Sequence, residues 1–319
     1  MGADFQPREL ERLEILSLVD NFIDLTSMDS NEMVQRALPV KDMKIKGNVL
    51  AEHGYSALVR TEAEGESHLL LFDFGYSETA VPYNLERLGV DLGGIEAAVL
   101  SHGHRDHTGA FYQLMEMIDN KPLPLYLHPD AFLKQRYLKY GDIKVFFPEL
   151  DREKMEKAGA DVREQPTPTL LAGGTALFLG EIARETEFEK GMPNAYFADG
   201  EQERWDPVRD DTSLVFLVKG KGLVVLSGCA HSGIVNTVRQ AQRLTGVEKV
   251  HAVMGGFHLS GPAFAGIIPH TIEELKKINP DFLIPAHCTG HRATVEMERA
   301  FPKKFILNMS GTRIIFTGS

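Results

Sequence analysis

Apolar residues in this chain fall in short runs bounded by glycine, aspartate and polar clusters, the pattern of buried strands more than of long helices. Leu13–Asp20 (LEILSLVD) reads as the first strand, and the residues that follow it, Thr26–Gly54 above all, show no period. Ser56–Arg60 and His68–Phe72 read as a hairpin about the polar turn EAEGE, closed by Asp73-Phe74-Gly75. Val81–Leu88 has helical spacing. Ala97–Leu100 is a short apolar strand running directly into SHGHRDHTG; Thr108–Met117 is helical again, and Leu123–Leu127 is another strand. Residues 129–165 mix charged and aromatic side chains with helical patches, as in an insert packed over a rim. Strand patterning resumes at Ala176–Leu179, Ser213–Val218, Leu223–Leu226, Val250–Val253 and Phe282–Ile284, with helices over Gly233–Leu244 and Thr271–Ile278.

In each half, strands first pair by hairpins and then alternate with helices. That order predicts an α/β fold of two mixed sheets packed face to face with helices outside, a four-layer αββα sandwich. No linker, repeat or break in composition divides the chain, so residues 1–319 read as a single domain, with 129–165 as a helical insert over the site.

Composition narrows the function. The 319 residues are 43% hydrophobic and 25% charged, a globular balance. With 34 Lys and Arg against 45 Asp and Glu, the formal charge is −11. A broad basic face for nucleic acid is thereby excluded, although a local pocket for a small anion is not. No apolar run approaches the roughly 18 residues of a membrane span, and no secretion signal is apparent at the start. Cys229 and Cys288 cannot build a disulfide framework. The expectation is a cytoplasmic protein whose partner is a small molecule.

The chemistry concentrates in His102-Gly103-His104-Arg105-Asp106-His107, four ligand-type side chains within six residues, directly after a strand. Imidazole and carboxylate together suit zinc, iron or manganese, and such a cluster is costly to bury without an ion. The arrangement recurs. Strands lead into Gly228-Cys229-Ala230-His231, into Gly256-Phe257-His258 and into Ala286-His287-Cys288. Ligands at several strand ends converge on one sheet edge, where α/β sites lie. A single histidine at a strand end is otherwise a hydrogen-bonding residue. The shared position argues for His231 and His287 as ligands and leaves His258 open.

HxHxDH after a short strand, with Asp73 in FDFG upstream, resembles the metallo-β-lactamase superfamily from about Leu13 onward. DDTSLVF, GLVVLSGCAHSGIVNT, GGFHL and PAHCTG resemble its 7,8-dihydropterin-6-methyl-4-(β-D-ribofuranosyl)-aminobenzene-5′-phosphate synthase branch. The resemblance implies the αββα fold and one or two divalent ions, zinc first, with iron or manganese as alternatives. It places His102 and His104 on a first ion, Asp106 and His107 toward a second, His287 as the last histidine ligand, and Asp73 as an orienting residue. Two departures stand out. Asp210-Asp211 replace a histidine before SLVF, and Gly228-Cys229 replace a glycine and a bridging aspartate. His231 could supply the missing imidazole; Cys229 could ligate or simply be buried; Asp211 is a further candidate ligand.

The implied activity is metal-dependent hydrolysis, or a pterin-pathway synthase reaction, on a small anionic or phosphate-bearing substrate. A metal-bound water with its pKa lowered toward about 7 would attack, Asp106 orienting it. The altered motifs motivate an alternative, a metal-stabilised ligand or pterin sensor with little catalysis. Arg184 is a candidate contact for an anionic substrate or a surface ion pair. Phe146, Phe147, Tyr196, Phe197 and Phe257 could line a pterin pocket or serve as core. His128 suits a rim or a turn, and His53, His68, His251, His270 and His291 suit structural or exposed roles. No glycine-rich stretch matches a nucleotide-binding loop.

Overall fold

The computed structural model describes residues 5–41, 43–45 and 47–319. Two large mixed sheets form its centre. One has eight strands, among them Arg12–Val19, Ser56–Ala63, Glu66–Phe72, Ala97–Val99 and Leu123–Leu127; the other has seven, among them Ser213–Val218, Gly222–Ser227, Val250–Gly256 and Phe282–Ala286.

The pleat sorts each strand between two layers. Leu214, Phe216 and Val218 pack between the sheets with Ala57, Val59, Leu70 and Phe72, whereas Val215 and Leu217 face outward. Every residue of SLVFLV is buried. A continuous apolar run is what a strand covered on both faces requires. Helices Ala80–Leu88 and Phe111–Met117 cover the outside of the first sheet, and Ile234–Thr245, Ile268–Ile278 and His291–Ala300 belong with the second. Three apolar interlayers thus separate four layers, the expected αββα sandwich. Among the described residues, no helix is long and apolar enough to cross a membrane.

Residues 129–165 are not a helical insert. Arg136–Tyr140 and Ile143–Phe146 form a hairpin about Gly141-Asp142, which joins Ala195–Asp199 and Gln202–Trp205 in a separate four-stranded sheet. Only Arg152–Lys157 is α-helical, and Ala160–Glu164 lies parallel to Leu123–Leu127 in the large sheet. Cross-strand packing of buried Tyr137 against Phe146 and Tyr196 outweighs the helical preference of the scattered charges. Gly141, at φ 60°, supplies the left-handed turn residue the hairpin needs. The expected helix over Thr108–Met117 is two, Arg105–Thr108 and Phe111–Met117.

Strand direction positions the site. Glu66–Phe72, Ala97–Val99 and Leu123–Leu127 run parallel, as do Gly222–Ser227, Val250–Gly256 and Phe282–Ala286. Asp73, His102, Cys229, Phe257 and His287 therefore all leave carboxyl ends of strands.

Phe216 is fully buried between the sheets. Phe216→Ala is expected to cost about 3–5 kcal/mol in urea-induced unfolding. Exposed Ile143→Ser is expected to stay within about 0.5 kcal/mol of the parent protein.

Candidate metal centre

Asp73 follows its strand with φ 60° and is fully buried. Its carboxylate accepts the Ser101 N–H and hydroxyl, each at 2.7 Å, and lies 2.6 Å from His107 Nδ1. These bonds fold the loop after Ala97–Val99 back over the sheet edge. Gly228 lets the second sheet approach: a Cβ there would sit 2.1 Å from Ser101 Oγ.

Three overlapping groups of donors result. His102 Nε2 lies 3.1 Å from His104 Nδ1 and 3.1 Å from His231 Nε2. Asp106 Oδ2 lies 3.1 Å from His287 Nε2 and 3.7 Å from His107 Nε2, which is 3.2 Å from Cys229 Sγ. Donor atoms of Asp106, His107, Cys229 and His287 lie within 4.8 Å of one another, as do those of His102, Cys229 and His231, and those of His102, His104 and Asp106. His102, Asp106 and Cys229 each belong to two of these groups.

Burial dominates the electrostatics. It pushes His102 and His231 far below the ordinary histidine range, His104 to about 3 and His287 to about 4, so these rings are neutral with a nitrogen lone pair free. Burial would also lower His107, but the Asp73 and Asp106 carboxylates outweigh it and raise that ring. Asp106 is held well below the carboxylate range because His107 and His287 overcome its desolvation. Burial, aided by Cys288, pushes the Cys229 thiol up. Neutral imidazoles meeting at hydrogen-bond distance, beside one carboxylate and one thiol, form a donor set that suits a borderline divalent cation. His104 Nε2 and His231 Nδ1 are buried without a partner.

A second ring of residues holds these donors. The Asp20 carboxylate accepts the His287 N–H at 2.7 Å, fixing a residue at φ 45°, and Asn21 Oδ1 lies 3.0 Å from His287 Nδ1. Burial raises Asp20 to about 6. Asp210 accepts the Gly103 N–H at 2.7 Å and both Nη groups of Arg136 at 2.9 Å, while Arg136 Nε donates to Asp206 at 2.6 Å. The Phe147 ring stacks 4.3 Å from His104.

Other candidates lie outside the donor groups. Asp211 accepts the Ser232 N–H at 2.9 Å, its carboxyl raised to about 6 by burial. His258 packs 4.1 Å from the His231 ring without joining a group. Arg184 donates to the Pro207 carbonyl, and its Nε is buried and unpartnered. Of the aromatics, Phe147 reaches the donors, Phe146 is exposed, Tyr196 stacks on Tyr137, Phe197 lies in the small sheet and Phe257 is core. His128 caps a turn; His68 and His251 pair with Glu96 and Asp281; His270 packs on Phe188; His291 is exposed. His53 differs from these, with Nε2 3.8 Å from Asp106 and Nδ1 3.0 Å from Asn21 Nδ2.

Residues 51–179 match the metallo-β-lactamase superfamily. Over 263 residues the chain is 32% identical to the 7,8-dihydropterin-6-methyl-4-(β-D-ribofuranosyl)-aminobenzene-5′-phosphate synthase of Methanocaldococcus jannaschii, an alignment covering 80% of this chain and 87% of that one. The chain belongs to the metallo-β-lactamase superfamily. An uncharacterised protein of the same organism is 30% identical over 255 residues, 78% of this chain and 88% of its own. Tm1679, a metal-dependent hydrolase of the β-lactamase superfamily, superposes with a TM-score of 0.72 at 22% identity, over 96% of this chain and 99% of that one, and so shares its fold. Within this metallo-β-lactamase fold, Cys229 occupies the strand end at which the motif resemblance implied a bridging aspartate.

Sequence reasoning missed Arg136, whose partners lie 70 and 74 residues away, and the roles of Asp20, Asn21 and Ser101. Arg136 holds Asp210 at about 2, outweighing the burial that would raise it from 3.8. A depressed carboxyl contributes stability above its unfolded pKa and loses it as pH falls through the folded one. Arg136→Met is therefore expected to cost about 3–5 kcal/mol near pH 7. That deficit, followed by urea unfolding, should shrink between about pH 4 and pH 2.

Proposed function

We propose that this metallo-β-lactamase-fold protein is a metal-dependent enzyme acting on a small anionic, phosphate-bearing substrate related to the pterin chemistry named for its M. jannaschii relative. The observation that carries this reading is the meeting of two donor groups through Cys229. His102, His104 and His231 would hold one ion and Asp106, His107 and His287 another, with Cys229 a further donor within reach of both. Divalent ions so held lower the pKa of a bound water toward about 7 and polarise a substrate oxygen.

The chain's own residues do the rest. Asp73 fixes the His107 ring through Nδ1 and leaves Nε2 facing the donors, while Asn21 does the same for His287. Asp106 is ionised and faces both rings, so it can accept a hydrogen bond from an entering nucleophile and orient it. Phe147 covers one face of His104 and excludes water from it. Arg184, whose buried Nε has no partner, would be the cation that meets an anionic substrate.

Replacement of the bridging carboxylate by Cys229 favours one competing reading, a ligand sensor with little catalysis. Protein purified without chelator is expected to contain about two equivalents of divalent metal by plasma mass spectrometry, and His287→Ala and His104→Ala about one each. Phosphomonoesters, phosphodiesters, lactones and thioesters screened in parallel are expected to reveal multiple turnover that His104→Ala abolishes. Folded parent protein that takes up no metal on reconstitution overturns the enzyme reading; metal without turnover leaves the sensor.

A further inference from the structure

A cavity of about 200 Å³ opens beside the donor cluster, and His231 and His258 share its wall. Its sides are apolar: Phe188, Phe257 and Phe264 line it, Phe264 standing edge-on to His258 with ring centres 4.7 Å apart. Its polar groups are mostly spent. The Glu189 carboxylate accepts the Val235 and Asn236 N–H groups at 2.9 Å and the Thr186 hydroxyl at 3.2 Å, and Lys190 Nζ donates to the Thr186 carbonyl at 3.1 Å. Two groups are not spent. His231 Nδ1 and His258 Nδ1 are both buried and neither has a partner.

Buried polar atoms without partners are uncommon in folded proteins, and two on adjoining rings in one cavity call for a ligand that satisfies both. A cavity of this size is below the usual few hundred Å³ of a whole drug-sized ligand, so it takes one ring system and not an entire substrate. Aromatic walls favour a flat ring. An imidazole Nδ1 donates or accepts according to its tautomer, so the edge that fits is one carrying both N–H and C=O groups.

We propose that this cavity is the subsite for the planar heteroaromatic portion of the substrate, its hydrogen-bonding edge held by His258 and its faces by Phe257 and Phe264. The assignment rests on the enzyme reading above, since His231 forms both a wall of the cavity and part of the donor cluster. It makes His258 a substrate-positioning residue outside the ligand set. It also directs the substituent of the ring toward the donors, and leaves carbocyclic rings without a polar edge poorly bound.

The test uses the metal-replete protein, with pterin and 4-aminobenzoate as probes. Trp205, the single tryptophan, reports on the cavity, because its Cζ2 would lie 3.4 Å from a Cβ on the lining residue Gly191. Pterin is expected to change its fluorescence and to bind at least about tenfold more tightly than 4-aminobenzoate. Ala263→Phe, which fills the rim of the cavity, and His258→Ala are each expected to weaken pterin about tenfold or more, and His258→Gln less. Thermal melting and metal content, read on the same samples, are expected to stay at parent values. No pterin binding at millimolar concentration overturns the assignment. So does unchanged affinity in folded Ala263→Phe and His258→Ala, or a preference for 4-aminobenzoate. Pterin binding that the two variants abolish, in protein that takes up no metal, sustains the subsite and discards the enzyme reading.

Discussion

The site depends on the carboxylate of Asp73. It is fully buried and is shared by one backbone N–H, one hydroxyl and one imidazole, all from the segment Ser101–His107. A buried charge is tolerated only when its hydrogen-bonding capacity is filled, so the loop cannot leave without exposing an unpaired carboxylate to an apolar surround. That penalty makes HxHxDH a fixed feature and not a floppy turn. With His107 pinned, Asp106 and His104 are carried into place by the short helix that begins at Arg105. Asp210 and Arg136 then brace the same loop from the other side, through Gly103.

The layered fold was legible because its cause is local. Alternation in SLVFLV and GLVVLS, and helical spacing in the segments between later strands, follow from what each strand or helix must bury. The donor set was legible for a related reason: each donor stands within a few residues of a strand end, where apolar patterning marks the boundary. Residues 129–165 were misread because the hairpin there buries little, Ile143–Phe146 being exposed throughout, so the pattern carries no inside and outside. The Gly141-Asp142 turn was the one readable signal. Helix His291–Ala300 and strand Arg313–Thr317 went unassigned, the first with only Ala293 and Met297 buried. Arg136, Asp20 and Asn21 act across 70 or more residues, a relation no local pattern encodes.

Cys229 sets the chemical character of the centre. Buried, and with Cys288 beside it, it is a neutral thiol until a cation displaces the proton. A carboxylate at that strand end would bring its charge with it. The thiol instead adds no charge of its own beside the lowered imidazoles of His102 and His231. It also tilts preference toward metals that accept sulfur, and away from magnesium or calcium.

The strand ends that carry the donors come from different sheets. Asp73 and the His102–His107 loop leave the eight-stranded sheet, whereas Cys229, His231 and His287 leave the seven-stranded one. An ion held among them would be a rivet driven through both plates. Cys229, His231 and His287 enter a donor group only with partners from the loop of the other sheet, so the free energy of capturing an ion there would be added to the cohesion of the whole sandwich. In a cell short of metal, such a protein would lose rigidity at the junction of its halves before it lost either half.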